Sequence, residues 1–350
     1  EALVLEKGSP ELPSVARSVM IPDDREMQLR VVESESVDLQ GITPIPSKGS
    51  LARTVDPARV PYEFGAVYQA AEWYPQAIAC QREPYILRDF RGTAVVATPI
   101  AYHAADGVLR VYTRLVVELV DVGPGGANVL VREKGITRYT SEFEDIYRHR
   151  FLNWGFEKYA FVTEAGSMLV ITYDSFAPNM QPLVDWKNQM GVPAEMVLLS
   201  SIGSTAAQVQ AYIQNYYNQS SSPKLAHVLL VGDAAQMPYP TASGGASDAT
   251  YSKVAGGDNY PDIFIGRFSA ENPTHVQTQV QKVINYEKDP LLAGDTWDPR
   301  GVGIASNQGP GDDGEYDNQH IDGIRTLLLG YGYTLVDQIY DPNANVTMVA

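Results

Sequence analysis

The sequence contains one cysteine, Cys80, in 350 residues. A single thiol cannot close an internal disulfide, which excludes a small secreted scaffold held by staples. Secretion itself stays open, because a chain of this length can bury its cores without them. Positive charge is also short. Lys and Arg total 26 against 42 Asp and Glu, a formal net charge of −16. That balance argues against a nucleic-acid backbone or an anionic membrane as partner. Long apolar runs are missing as well: stretches such as "AHVLLVG" at 226–232 fall far short of a bilayer span. No signal-peptide pattern opens the sequence, so the expectation is that any such leader was removed or never present. Abundant tyrosine, 21 residues, and scarce lysine fit an acidic extracellular protein.

Several catalytic signatures are absent too. "VGDAAQ" carries no G-x-G-x-x-G, no Walker-type G-x-x-x-x-G-K-[ST] occurs, and acidic loops would repel phosphate. There is no G-x-S-x-G elbow for a serine nucleophile. The histidines at 103, 149, 227, 275 and 320 show no H-E-x-x-H or other zinc spacing. Cys80, in "QAIACQRE", lacks an adjacent histidine or a helix N-terminus and reads as a buried, inert thiol. His227 reads as a core-edge residue, His103 and His149 as surface-loop residues.

What is present falls into two halves. Up to about 155 the pattern is β. "MQLRVVESESVDLQG" (27–41) alternates, and "VVATPIAYHAADGVLRVYTRLVVELVDV" (95–122) is two strand-like runs around an Asp106-Gly107 hairpin turn. Frequent Pro and Gly and no long helix suggest an all-β sandwich, broken at 147–151 by the basic, exposed-looking "YRHRF". From about 159 the rhythm is strand, helix, strand. "SMLVITYD" (167–174), "AHVLLVGD" (226–233), "DIFIGRF" (262–268) and "GVGIASN" (301–307) are strands. Helices follow at 182–191, at 204–219 with Val209, Tyr212, Ile213 and Tyr216 on one face, after the Asn272 cap and Pro273, and from about Asn318. This predicts a mostly parallel sheet flanked by helices, with ligands at the carboxyl ends of its strands. Asp233 follows the second strand; Asp312, Asp313, Glu315, Asp317 and His320 follow the fourth.

"GGDNYPDIFIGRFSAENP" (256–273) sets Asp258 and Asp262 at the mouth of a core strand. Calcium takes six to eight oxygens from carboxylates and loop carbonyls, and the first and fifth positions of "DNYPD" can reach one ion. On spacing alone a solvated Asx turn is the commoner arrangement.

The ordered blocks "VDWKNQMG", "HVLLVGDAAQMP", "SDATYSKVAGGDNYPDIFIGRFS", "INYEKD", "GDDGEYDNQH" and "LLGYGYTLVDQIYDP" together resemble the catalytic domain of the gingipain family of cysteine peptidases, from Met168 to Pro342. The β half more weakly resembles that family's propeptide. The resemblance implies a β-rich propeptide at 1–157 packed on a caspase-like α/β domain, with a calcium subdomain at 158–296 and the start of the catalytic subdomain at 297–350. It implies one Ca²⁺ site from Asp233, the Ala255 carbonyl, Asp258, the Tyr260 carbonyl and Asp262, and a second metal-linked position at Glu315 and His320. It places Asp317 at the floor of a pocket for a basic, arginine-like side chain. The family's catalytic histidine and cysteine lie downstream of "YDP" and are expected after Ala350; Cys80 is not in the nucleophile's place. Arg148, Arg150 and Lys158 crowd the expected processing junction. The expectation is therefore a secreted or cell-surface cysteine endopeptidase zymogen or fragment, acting on protein or peptide substrates and completed by the remainder of its catalytic domain. Its rivals are a sortase-like transpeptidase of the same superfamily and a non-enzymatic, calcium-stabilised binding module.

Overall fold

A computed structural model describes residues 2–52, 55–132, 136, 138–155, 161–222, 224–289, 297–310 and 314–341. The β half holds two antiparallel sheets. In one, Pro13–Met20, Ala79–Gln81 and Tyr85–Leu87 all pair with Phe90–Ala97. In the other, Arg25–Gln40 and Val108–Pro124 form a long ribbon, Gln40 opposite Val108 and Arg25 opposite Pro124, extended by Ile100–His103. The turn into Val108–Pro124 falls at Asp106-Gly107, with Gly107 at φ +59, the left-handed geometry that glycine reaches without steric penalty.

One helix departs from expectation. Ser141–Arg150 is a ten-residue α-helix, and "YRHRF" is its last turn and cap rather than an exposed strand break. Phe143, Tyr147 and Phe151 recur at intervals of four, so they share a face despite the charges between them, and all three are buried. They pack with Tyr85, Leu87 and Tyr139 into an aromatic core. Leu152 N–H donates to Ser18 O, and the Asn153 side chain bridges both backbone groups of Met20, which fastens the helix end to Pro13–Met20.

The second half contains a four-stranded parallel sheet in the order Ala194–Leu198, Ser167–Thr172, Leu225–Val231, Phe264–Phe268. Successive side chains of a strand point to opposite faces. Leu169, Ile171, Val228 and Leu230 accordingly face the helix Ala206–Gln219 through Val209, Ile213 and Tyr217. Val170, Leu229 and Val231 face the helices Ala177–Gln189 and Pro273–Lys288. Covering both faces is what lets these strands read as nearly continuous apolar runs. Asn272 caps the last helix by accepting from His275 N–H, with Pro273 in its first turn. Arg300–Ala305, the helix Asp317–Tyr331 and Leu335–Tyr340 form a further parallel strand-helix-strand unit.

The two halves touch. Phe143 packs against Phe264 with ring centroids 4.9 Å apart, and Glu142 accepts from Gly166 N–H at 3.0 Å. The helix Ser141–Arg150 thus lies between the β half and the parallel sheet.

Candidate functional site: an acidic loop closed on a hairpin

The loop 254–262 enters the sheet just before Phe264–Phe268, and Asp262 at its end is fully buried. Its Oδ2 accepts from the N–H groups of Val254 and Ala255 at 2.9 and 2.7 Å, which folds the loop back on itself. Its Oδ1 accepts from Arg88 N–H at 2.8 Å, across from the β half. Asp258 behaves alike: Oδ1 takes Tyr260 N–H at 2.9 Å and Oδ2 takes Ile86 N–H at 2.7 Å. Burial pushes the Asp262 carboxyl up to about 6, against the pull of its three N–H donors.

Ile86 and Arg88 belong to a tight hairpin. Leu87 pairs with Phe90, leaving Arg88 and Asp89 as its two-residue turn, with Arg88 at φ +51. Arg88 is 1% exposed. Its Nη1 donates to Asp262 O at 2.7 Å, its Nε lies 3.3 Å from Asp89, and its guanidinium sits over the Phe143 ring. Asp89 is a hub: Oδ2 accepts the Tyr147 hydroxyl at 2.7 Å and Oδ1 accepts Lys224 Nζ at 3.2 Å. Burial and the Asp89 charge raise the Tyr147 phenol well above its ordinary value; burial lowers Lys224 although Asp89 opposes it. Tyr260 stacks on Tyr85 at 4.0 Å, and Arg150 donates to both hydroxyls. Gly256 permits the close approach: a Cβ there would meet Ile86 Cδ1 at 3.0 Å and Asp258 Oδ2 at 3.1 Å, and its φ is +72.

These placements bear on the expected calcium set. Asp258, Tyr260, Asp262 and Ala255 come together in one loop, but Asp233 does not join them. The parallel register sets His227 opposite Phe264 and Val231 opposite Phe268, so Asp262 lies at the amino end of the sheet and Asp233 beyond its carboxyl end. At about 3.3 Å per residue the two are too far apart to share an ion. Asp233 instead accepts the Ser269 hydroxyl at 2.9 Å, a bond that lowers its carboxyl. Among the described residues no three His, Cys, Asp or Glu side chains converge to hold a metal ion. With N–H donors on the oxygens of Asp258 and Asp262, this conformation does not fit a calcium centre.

Asp317 opens the helix Asp317–Tyr331 at the carboxyl end of Arg300–Ala305, where a parallel unit presents ligands-facing groups, and accepts the Ser306 hydroxyl at 2.5 Å. Glu315 and His320 bracket it and contact each other at 3.2 Å, both half exposed. Asp312, Asp313 and Lys158 lie outside the described residues, as does the expected boundary at 157–158. Arg148 pairs with Glu144 on the helix's last turn, next to Arg150. Cys80 corrects its expectation: it is exposed, on the short strand Ala79–Gln81, because its flanking apolar residues do not set which face it takes. His103 is not a loose surface residue either, since its ring contacts Ala71 O and Asp106. His227 does sit at the core edge, stacked on Phe264. Sequence reasoning missed Arg88, Asp89, Tyr147 and Lys224. The only signal was two charges inside the apolar "YILRDF", which reads equally well as a surface turn.

Residues 162–348 match Peptidase family C25 and residues 3–151 match Propeptide_C25. Gingipain R2 of Porphyromonas gingivalis is 36% identical over 345 residues, 97% of this chain and 46% of that protein. Lys-gingipain of the same organism is 25% identical over 298 residues, 81% of this chain and 17% of that protein. A solved structure, the Arg specific cysteine proteinase gingipain R (RGPB), is 36% identical, covering 53% of this chain and 43% of its own, with a TM-score of 0.47. The chain therefore spans less than half the length of these relatives.

Proposed function

Because the chain belongs to peptidase family C25, we propose that it is the propeptide and the first part of the peptidase domain of a secreted or cell-surface cysteine endopeptidase that cleaves after basic residues, arginine above all. The observation that carries the reading is the order of the two matches, a C25 propeptide followed by a C25 peptidase, on two halves that pack against each other through buried polar contacts. The α/β half is proposed to be caspase-like, its parallel sheet holding the specificity elements at the carboxyl ends of the strands. A thiolate and its histidine base, supplied by sequence beyond Ala350, would attack the scissile carbonyl, with N–H donors holding the oxyanion.

Within this chain Asp317 is the residue proposed to read the substrate. A carboxylate at a helix start, held by the Ser306 hydroxyl, suits a guanidinium through charge-assisted hydrogen bonds. Lysine, unable to pair bidentately, should be the poorer substrate. The higher identity to Gingipain R2 than to Lys-gingipain points the same way. The test is kcat/KM of the complete, activated enzyme and its Asp317→Asn form on matched Arg, Lys and Leu substrates. Loss of a charge partner that bound substrate would desolvate should cost about 2–5 kcal/mol on Arg substrates and leave Leu nearly unchanged. Equal losses on all three would mean that Asp317 supports the fold rather than reads the side chain. Processing is proposed to fall between 149 and 165, near Arg150 and Lys158, a start that N-terminal sequencing of the mature form reads directly.

A further inference from the structure

The geometry points to Ser306 as a positioning residue that sets the plane of the Asp317 carboxylate and so favours arginine over lysine there. This rests on the reading of Asp317 under the proposed function and adds the residue that orients it. Ser306 directly follows the strand Arg300–Ala305. That strand is held to its last residue: Ala305 lies opposite Tyr340 and accepts from Asp341 N–H at 3.0 Å. The Ser306 side chain therefore starts from fixed backbone. Its hydroxyl donates to Asp317 Oδ2 at 2.5 Å and accepts from Gln308 N–H at 3.1 Å. Gln308 O in turn accepts from Asp317 N–H at 2.9 Å. Strand end, loop and helix start thus close into a ring of three hydrogen bonds. Gly309 keeps the ring tight, since a Cβ there would meet Tyr316 Cα at 2.8 Å and Glu315 O at 2.9 Å, and its φ is +136. Ser306 and Asp317 are both half-buried, where water competes less for the bond between them.

An aspartate carboxylate turns easily about its last torsion. A donor whose own direction is set by the Gln308 amide removes that freedom. The plane matters to the two basic side chains unequally. A guanidinium pairs bidentately only when both carboxylate oxygens meet its fork, whereas an ammonium is a compact point charge that approaches from many directions. An ionised carboxylate offers about four acceptor positions, of which the hydroxyl uses one. Charge and orientation also act differently when the hydroxyl is removed. More negative charge is left on Oδ2, which helps both cations alike. The carboxylate is freed to turn, which harms only the bidentate pair. The Arg/Lys ratio isolates the second effect.

The experiment compares kcat/KM on matched Arg, Lys and Leu substrates for the complete, activated enzyme and its Ser306→Ala, Ser306→Thr and Asp317→Asn forms. Ser306→Ala should lose about tenfold on Arg, the scale of one hydrogen bond to a charged group, and stay within about threefold on Lys. Leu should not change. Ser306→Thr keeps the hydroxyl and should restore the Arg/Lys ratio. In the Asp317→Asn background, Ser306→Ala should leave the ratio where Asp317→Asn put it, because a residue that acts through another has no effect once that other is gone. Equal losses on Arg, Lys and Leu in Ser306→Ala would overturn the inference, since a displaced helix start harms every substrate. So would an unchanged Arg/Lys ratio in Ser306→Ala beside a collapsed one in Asp317→Asn, an outcome that leaves the Asp317 reading standing. An unchanged ratio in Asp317→Asn itself would overturn both.

Discussion

Replacing Asp89 with Asn tests whether the two halves are held by one buried ionic hub. The carboxylate is 5% exposed, accepts two hydrogen bonds, from the Tyr147 hydroxyl at 2.7 Å and Lys224 Nζ at 3.2 Å, and is ion-paired with Arg88, whose Nε lies 3.3 Å away. Asparagine keeps the shape but removes the charge that offsets Arg88, whose side chain is fully buried. Breaking a buried pair from one side costs about 3–5 kcal/mol, because the remaining charge stays in a poorly solvated place. Tyr147→Phe removes a single donor to an ionised acceptor, worth about 1.5–3 kcal/mol. The two share one hydrogen bond, so the double variant should fall short of the sum by about 1–2 kcal/mol. Urea unfolding followed by Trp154 fluorescence reads this locally, since Trp154 lies 5.2 Å from the Tyr147 ring. A loss under about 1 kcal/mol in Asp89→Asn, or strict additivity in the cycle, would refute the hub, because neither is compatible with a desolvated shared partner.

Two further outcomes follow from the same interface and its support. Burial alone would raise the Glu142 carboxyl, but the His227 ring and the Gly166 N–H outweigh it and hold it at about 2, below an ordinary 4.5. A lowered carboxyl stabilises the fold above its unfolded value and loses that contribution as pH falls through its folded value. Acid unfolding should therefore steepen between pH 4.5 and 2, and Glu142→Gln should flatten that limb, with about 1–3 kcal/mol lost at neutral pH. Asn272→Ala removes the acceptor for His275 N–H at 3.0 Å; thermal melting should show a loss of about 0.5–2 kcal/mol, and no change would mean that Pro273 and tertiary packing set the helix start.

Local pattern alone determined the elements whose physics is local. Alternation and the Asp106-Gly107 turn located the ribbon, apolar runs located the parallel strands, and Asn272-Pro273 marked a helix start. The position of Asp317, though not a role for it, was also legible, since a strand followed by a polar loop and a helix puts that loop at the carboxyl end of the strand. The helix Ser141–Arg150 was not, because its stripe of Phe143, Tyr147 and Phe151 is diluted by charges that only packing against Tyr85 and Phe264 explains. The acid pair was legible as a pair but not in its partners. Asp258 and Asp262 are four residues apart, whereas Ile86 and Arg88 lie more than 170 residues away, with separations of 172 and 174. An ionised carboxylate accepts whatever donor the fold brings, cation or N–H, and spacing cannot tell them apart. Register decided the rest: a parallel strand carries its two ends to opposite edges of the sheet, which separates Asp233 from Asp262 however close their motifs look in the chain.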